Sequence, residues 1–229
     1  VKANNTTNLN VIGSWSCGVP TSTTLATWES TVTGANTVSL GADVSCLGVA
    51  MTSPGGLVTI NSGSTLSIYG SGIDMSASTQ SFTMNNLVAL AANQSWTVNT
   101  SKTLTAAAAI SGAFGITKAG AGTLALSGAN TYSGTTTITA GTVQLEATGV
   151  ISNSSNFVMN GGTFSTGSGA GNSETVGTLT VNANSIINLG TGSHNLNFAA
   201  SNGTSWTGGT LLRVNGWTGS YNGTTGTAG

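Results

Sequence analysis

The chain has 229 residues and a formal net charge of −1, and only 4% of its residues are charged, against about 25% in ordinary soluble domains. Its four basic residues are too few to neutralise a phosphate track, which argues against nucleic acid as a partner and against a polybasic contact with a membrane surface. Every long apolar stretch is broken by Gly, Ser or Thr, so the sequence predicts no membrane-spanning helix.

The N-terminal segment, residues 1 to 30, precedes the regular pattern and is predicted to form an irregular cap or an extended arm. It contains Cys17, which with Cys46 makes up the whole cysteine content. An even pair in an Asn-, Ser- and Thr-rich chain is compatible with one disulfide that ties this segment down, worth roughly 3–4 kcal/mol in the chain-entropy picture. The alternative is two buried free thiols on neighbouring strands.

Residues 31 to 229 are predicted to form one domain of short β-strands. Apolar residues alternate with polar or small ones, which places the apolar side chains on one face of each strand and the Ser, Thr or Gln side chains on the other. The pattern is seen in Leu66-Ser67-Ile68, Leu124-Ala125-Leu126, Val143-Gln144-Leu145 and Leu179-Thr180-Val181. Glycine-rich clusters between these stretches favour tight bends.

A short motif, Gly-Thr followed by an apolar residue, recurs along this domain. Its threonines are Thr123, Thr142, Thr163, Thr178 and Thr210, and Thr65 and Thr103 occupy related Thr-Leu pairs upstream. If the two longest intervals each hide a skipped repeat, every step lies between fifteen and twenty-one. A unit near nineteen residues is too short for a helical repeat and predicts one coil of a parallel β-solenoid, with about ten to twelve coils in all. An antiparallel β-sandwich is the alternative, although it does not require a near-constant interval.

Residues 109 to 147 resemble the autotransporter-associated β-strand repeat, also called the passenger-associated transport repeat. The resemblance lies in Ile110-Ser111-Gly112, Thr117-Lys118, Gly120, Gly122-Thr123-Leu124, Leu126-Ser127-Gly128, Asn130-Thr131-Tyr132 and Gly134-Thr135-Thr136. It implies an exported bacterial protein, extracellular or at the cell surface, whose fold is an all-β, right-handed parallel β-helix. Whether the natural chain extends beyond Gly229 is left open.

The polar residues give no pattern typical of catalysis. The five carboxylates follow one another in the sequence at gaps of 14, 31, 72 and 28, none a multiple of nineteen, so we expect no pair arranged for glycosidic cleavage. His194 is the only histidine and stands in a turn-like sequence, where we expect an exposed loop residue. The sequence therefore predicts no catalytic residue, no cofactor and no metal site.

Four tryptophans stand near the two ends of the chain: Trp15, Trp28, Trp206 and Trp217. Side chains of this kind plug the ends of a solenoid, stack on sugars or contact a neighbouring subunit. Their placement suits either capping of the two ends or contact between the ends of successive subunits.

Neither end of the sequence carries the Lys- or Glu-rich cap that usually covers a solenoid edge. We therefore expect a non-enzymatic extracellular structural protein that assembles head to tail with copies of itself into a filament or surface matrix. In one form of this assembly, residues 1 to 30 would lie on the next subunit as an extended arm. The alternatives are a cell-surface adhesin that binds a glycan or host surface and, less favoured, a polysaccharide-degrading β-helix enzyme.

Overall fold

Short strands with alternating buried and exposed side chains account for the regular part of the chain. In the computed structural model, which describes residues 1–217, these strands stack in parallel as a β-solenoid of about eight turns, as the sequence predicts. A solenoid of this length falls short of the ten to twelve coils expected. Within residues 1–217 no helix is long and apolar enough to cross a membrane.

The strands fall into two parallel sheets, and their labels follow chain order. The first sheet contains β1 (Leu25–Glu29), β3 (Val44–Thr52), β5 (Thr65–Met75), β7 (Leu87–Leu90), β8 (Gln94–Val98), β10 (Ile110–Ser111), β11 (Ile116–Ala119), β13 (Thr136–Ile138), β15 (Phe157–Asn160), β17 (Glu174–Ala183) and β19 (Leu196–Ala199). The second contains β2 (Asn36–Val38), β4 (Val58–Ile60), β6 (Phe82–Met84), β9 (Thr103–Ala106), β12 (Thr123–Leu126), β14 (Thr142–Leu145), β16 (Thr163–Ser165), β18 (Ser185–Asn188) and β20 (Leu212–Asn215). A short 3-10 helix spans Ile12–Ser14.

Inward-facing side chains of the second sheet form one continuous column, which we call the core column. In register from coil to coil it consists of Asn36, Val58, Phe82, Leu104, Leu124, Val143, Phe164, Ile187 and Val214. All members except the last are buried. Across the interior the first sheet contributes matching residues, and the rings of Phe157 and Phe164 lie 4.7 Å apart between the two sheets.

The coils are longer than the sequence predicts. The shortest step of the core column, from Leu124 to Val143, equals the predicted nineteen, but the longest, from Ile187 to Val214, is twenty-seven. Thr103, Thr123, Thr142 and Thr163 do stack in register, as their spacing indicates. Thr65 and Thr178, however, belong to the first sheet, so counting them with the other threonines shortened the apparent repeat.

Long strands of the first sheet turn a corner of the coil at glycine. Gly48 of β3 lies opposite Gly72 of β5, next to a shift in register. Gly72 has a φ of 62°, a left-handed conformation that side chains with a Cβ rarely adopt. A Cβ at this position would also overlap the carbonyl oxygen of Ser95 on the next coil. The close approach of neighbouring coils therefore requires glycine at residue 72.

We predict that Gly72→Ala lowers the free energy of unfolding by about 2 kcal/mol or more, because the new methyl group meets both backbone strain and the Ser95 carbonyl. Gly70→Ala is the matched control, since Gly70 lies on the same strand and a Cβ added there would meet no atom within 4 Å. The control is expected to change stability by less than about 0.5 kcal/mol. Urea denaturation followed by tryptophan fluorescence measures both, and equal losses in the two variants would contradict the assignment.

Candidate functional site at the ends of the solenoid

The N-terminal end of the solenoid is closed by the chain itself. Residues 1–24 lie on the first coil, where the Lys2 amide donates to the Thr27 carbonyl at 2.7 Å and the Leu9 amide donates to the Ser39 carbonyl at 2.9 Å. The first strand, β1, begins at Leu25, within the segment of residues 1 to 30 that the sequence assigns to a cap or arm. The cap covers backbone groups that an open edge would expose.

Two tryptophans are buried beneath this cap. Trp15 and Trp28 pack edge to face with ring centroids 5.4 Å apart. The Trp15 indole donates to the Leu9 carbonyl at 2.7 Å, and the Trp28 indole donates to Asn36 Oδ1 at 3.1 Å. Asn36 also donates to the Asn5 carbonyl at 2.8 Å, which makes the first member of the core column a polar link to the cap. Trp15 and Trp28 therefore cap the solenoid and offer no surface to a second copy.

At the C-terminal end the core column continues to the surface. Val214 is 42% exposed, whereas the preceding member Ile187 is 4% exposed. In the part of the chain that the structure describes, no strand pairs with the outer edges of β19 and β20. A groove of about 830 Å³ opens there, and its apolar lining includes Leu189, Leu196, Phe198, Leu212, Val214 and Trp217. We call it the C-terminal groove.

The remaining tryptophan candidates lie near this groove and are exposed. Trp217 lines the groove and is 57% exposed, and Trp206 is 47% exposed with its indole donating to the Leu179 carbonyl at 3.1 Å. Unlike Trp15 and Trp28, both expose apolar surface to solvent. They remain candidates for an assembly contact.

Exposed large apolar side chains concentrate at the two ends of residues 1–217. Three of them lie near the N-terminal end and four near the C-terminal end, with three between. The first group is Val11, Ile12 and Leu25, the second is Trp206, Leu211, Val214 and Trp217, and the third is Leu57, Leu87 and Phe114. Seven of these ten side chains therefore lie near the two ends of the described residues.

The two cysteines are free thiols in the structure, so the disulfide expected between Cys17 and Cys46 is not formed. Cys46 is buried on β3 with its side chain in the core, whereas Cys17 is exposed in the segment before β1. Burial raises the pKa of the Cys46 thiol to about 12, and the Gly48 amide partly offsets this. The two thiols therefore differ in exposure, because Cys46 lies in the core and Cys17 faces solvent.

The acids and the histidine do not converge. In the strand pairs of residues 1–217 no two carboxylates lie opposite each other, and within the same range no three His, Cys, Asp or Glu side chains form a metal-binding group. His194 is half-buried in the wall of the C-terminal groove, not exposed as expected. Its Nδ1 lies 3.0 Å from the Gly192 carbonyl oxygen, and its Nε2 is hydrogen-bonded to the Thr166 hydroxyl at 3.1 Å.

A buried lysine holds one corner of the coil. Lys118 lies in register between Trp96 and Ile138 on the inner face of the first sheet. Its ammonium donates to the carbonyls of Ala119 at 2.8 Å, Gly120 at 2.7 Å and Ala140 at 3.2 Å. Burial lowers the pKa of Lys118 to about 8. The three carbonyls take all three donors of the ammonium, so the charge serves the backbone of the corner.

A second buried lysine lies in the cap. Lys2 donates to the Ala3 and Asn5 carbonyls and to Asn5 Oδ1, each at 2.8 Å, and burial lowers its pKa to about 8. Sequence reasoning assigned no role to either lysine. For Lys118 the sequence offered one indication of a structural role, namely its position within the repeat at residues 116–145. For Lys2 the sequence offered no such indication.

A buried carboxylate secures a loop in a similar way. Glu174 Oε2 accepts from the amides of Val150 at 2.8 Å and Ile151 at 3.0 Å, and Oε1 accepts from the Thr175 amide at 3.1 Å. Burial raises the pKa of Glu174, although these three amides oppose the change. Since both carboxylate oxygens are engaged by backbone amides, the arrangement supports the loop between β14 and β15.

We predict that a maleimide added to the native protein modifies one thiol per chain, at Cys17, because the Cys46 thiol is buried and its pKa is raised to about 12. Mass spectrometry of the native and urea-denatured protein provides the count, and two thiols should react after denaturation. A protein that reacts only after reduction would instead contain the disulfide.

We predict that Lys118→Met removes a pH-dependent part of the stability. The folded pKa of about 8 lies below the ordinary 10.5, so between these values the unfolded chain binds more protons and stability rises with pH. The free energy of unfolding of the parent protein minus that of Lys118→Met should therefore increase from pH 7 to pH 9.5. Lys102→Met, at a half-exposed lysine, is the control. A difference independent of pH would contradict the role of Lys118.

The family model of the passenger-associated transport repeat matches residues 116–145. This stretch comprises β11, β12, β13 and β14, so it supplies two strands to each sheet at the middle of the solenoid. No curated protein and no solved structure matches the chain. The chain therefore contains a passenger-associated transport repeat at residues 116–145, set within the stacked parallel coils of a β-solenoid fold.

Proposed function

We propose that the protein is an exported, non-enzymatic structural subunit whose solenoids join end to end in an extracellular filament or surface matrix. The observation that carries the proposal is the difference between the two ends. The core column begins at Asn36 beneath a cap and ends at Val214, which faces solvent beside two unpaired strand edges of the described residues. An open apolar edge of this kind favours association with another β-rich surface.

The surface charge of the chain is also suited to assembly. Nine charged residues in 229 provide little repulsion between copies, and a net charge of −1 leaves them near neutrality. A contact between one end and the opposite end of the next copy is heterologous and does not close, so it extends into a filament. Two different ends on one rod are the geometry that such a contact needs.

Export is supported by the repeat. Passenger-associated transport repeats suggest an exported or surface-located protein, and a non-enzymatic role is compatible with this family. In residues 1–217 the buried side chains of Lys118 and Glu174 each make three hydrogen bonds to backbone groups. These hydrogen bonds give the two residues a structural role in the coil. Copies of the chain itself are the proposed partners.

We predict that the purified 229-residue chain associates as its concentration rises, because burial of the exposed end residues favours contact between copies. Sedimentation velocity over a wide concentration range should show a rising weight-average sedimentation coefficient. Electron microscopy should show fibres with an axial repeat of about 40 Å per subunit, from about eight turns at 4.7–4.9 Å each.

Single rods at the highest concentration would overturn the structural role and bring the adhesin alternative forward. In that case a screen of immobilised glycans is the next measurement, with binding to a defined sugar as its positive result. Release of reducing ends from any polysaccharide would instead contradict the non-enzymatic assignment.

A further inference from the structure

We infer that Asn202 is a site of spontaneous covalent modification, at which the native protein loses a side-chain amide and gains a carboxylate. The backbone nitrogen of Gly203 attacks Asn202 Cγ, so that a C–N bond forms, ammonia leaves and a succinimide ring closes. Water then opens the ring at either of its carbonyls, which leaves an aspartyl or an isoaspartyl residue. No atom is oxidised or reduced in these steps. The reaction does not depend on the proposed function.

Asn-Gly pairs are the sequences in which this reaction is least hindered, because glycine has no side chain to shield its nitrogen. Four such pairs occur in the chain, and they begin at Asn160, Asn202, Asn215 and Asn222. The first three lie in the described residues, whereas Asn222 lies outside them. By sequence alone the pairs are equivalent, so differences between the first three must come from how the fold holds each peptide group.

Two of the three described peptide groups are held by a neighbouring coil. The reaction requires the peptide group between Asn and Gly to rotate until the glycine nitrogen meets Cγ, and a hydrogen bond to that group opposes the rotation. The Gly161 amide, next to Asn160, donates to Ser185 Oγ at 3.1 Å. The Asn215 carbonyl, on β20, accepts from the Leu189 amide at 3.0 Å. Each of these pairs must break a hydrogen bond before it can react.

The peptide group between Asn202 and Gly203 is not held in this way. Within residues 1–217 neither the Asn202 carbonyl nor the Gly203 amide takes part in a backbone hydrogen bond. Both residues are exposed in the turn between β19 and β20, and a methyl group built on Gly203 would meet no atom within 4 Å. The hydrogen bond that closes this turn joins the flanking residues, from the Thr204 amide to the Ser201 carbonyl at 3.0 Å. Rotation of the reacting peptide group therefore costs no backbone hydrogen bond.

An isoaspartyl residue at this position changes the turn. It adds a methylene to the backbone between Ser201 and Thr204. The Thr204 hydroxyl and the Trp206 indole both donate to the Leu179 carbonyl, at 3.0 Å and 3.1 Å. We expect the longer turn to weaken the Thr204 to Ser201 hydrogen bond and both contacts with β17. Hydrogen exchange at the Thr204 amide should be faster in the modified fraction than in the parent chain, and unchanged exchange would contradict this consequence.

Comparison of native and guanidinium-denatured protein tests the assignment site by site. The full chain is incubated at mildly alkaline pH and digested with pepsin at low pH, and the aspartyl and isoaspartyl peptides are quantified by mass spectrometry. Asn202 should react in the native protein within about threefold of its denatured rate, whereas Asn160 and Asn215 should be slowed about tenfold or more, because each needs a local opening. Equal protection of all three sites, or a faster native reaction at Asn160 than at Asn202, would overturn the inference.

A variant of the attacking residue tests the chemistry. Gly203→Ala should keep the denaturant midpoint of the parent chain, since its methyl group meets no atom within 4 Å, yet slow the reaction at Asn202 by about tenfold or more through hindrance at the nitrogen. Gly208→Ala is the matched control, because a methyl group there also meets no atom and Thr207 precedes it. It should leave the rate at Asn202 unchanged. An equally fast reaction in Gly203→Ala would show that water attacks the side-chain amide directly, which would contradict the role of Gly203.

Discussion

Stacking of inward-facing side chains between successive coils is the interaction on which the whole structure depends. One coil has too little interior to bury its own apolar residues, and each member of the core column between Asn36 and Val214 is covered by the members above and below it. Burial of a side chain such as Leu124 or Phe164 contributes about 1.5–3 kcal/mol, a gain that exists only while the neighbouring coil is in place. The register of the parallel strands, the glycine corners and the carbonyl-bound ammonium of Lys118 all keep successive coils in this alignment.

The first and last described coils each have a neighbouring coil on one side only, so the core residues there need another cover. The two ends differ in what covers these residues. At the N-terminal end Asn36 replaces an apolar member of the column and joins the Trp28 indole to the cap. The Asn5 carbonyl at this link also accepts from the buried Lys2 ammonium, so the core ends here under backbone, indole and ammonium hydrogen bonds. Within residues 1–217 the column ends at Val214, which is apolar and 42% exposed. The proposed contact between copies supplies to that end the cover that the cap supplies to the other.

The sequence predicts the solenoid well because the relevant signals are local. Alternation of buried and exposed residues identifies strands such as β12 and β14, and the shared Gly-Thr motif identifies which of them stack. The ends are harder to predict, because they depend on contacts between distant residues. The burial of Trp15 requires Leu9 to fold back over the first coil, and the free Cys46 results from its place in the core, neither of which a spacing reveals. The identical Thr-Leu pairs at Thr65 and Thr123 likewise do not indicate that they belong to different sheets.

Hydrogen exchange measured coil by coil, in dilute and in concentrated protein, tests the central claim that the ends differ and that assembly uses them. In dilute protein the amides of β1 and β2 should be protected beneath the cap, whereas those of β19 and β20 should exchange fastest among the strands. On assembly, the gain in protection should be confined to β19, β20 and the cap around Ile12. Gains along the flanks of the solenoid, or equal exchange at its two ends in dilute protein, would contradict the account.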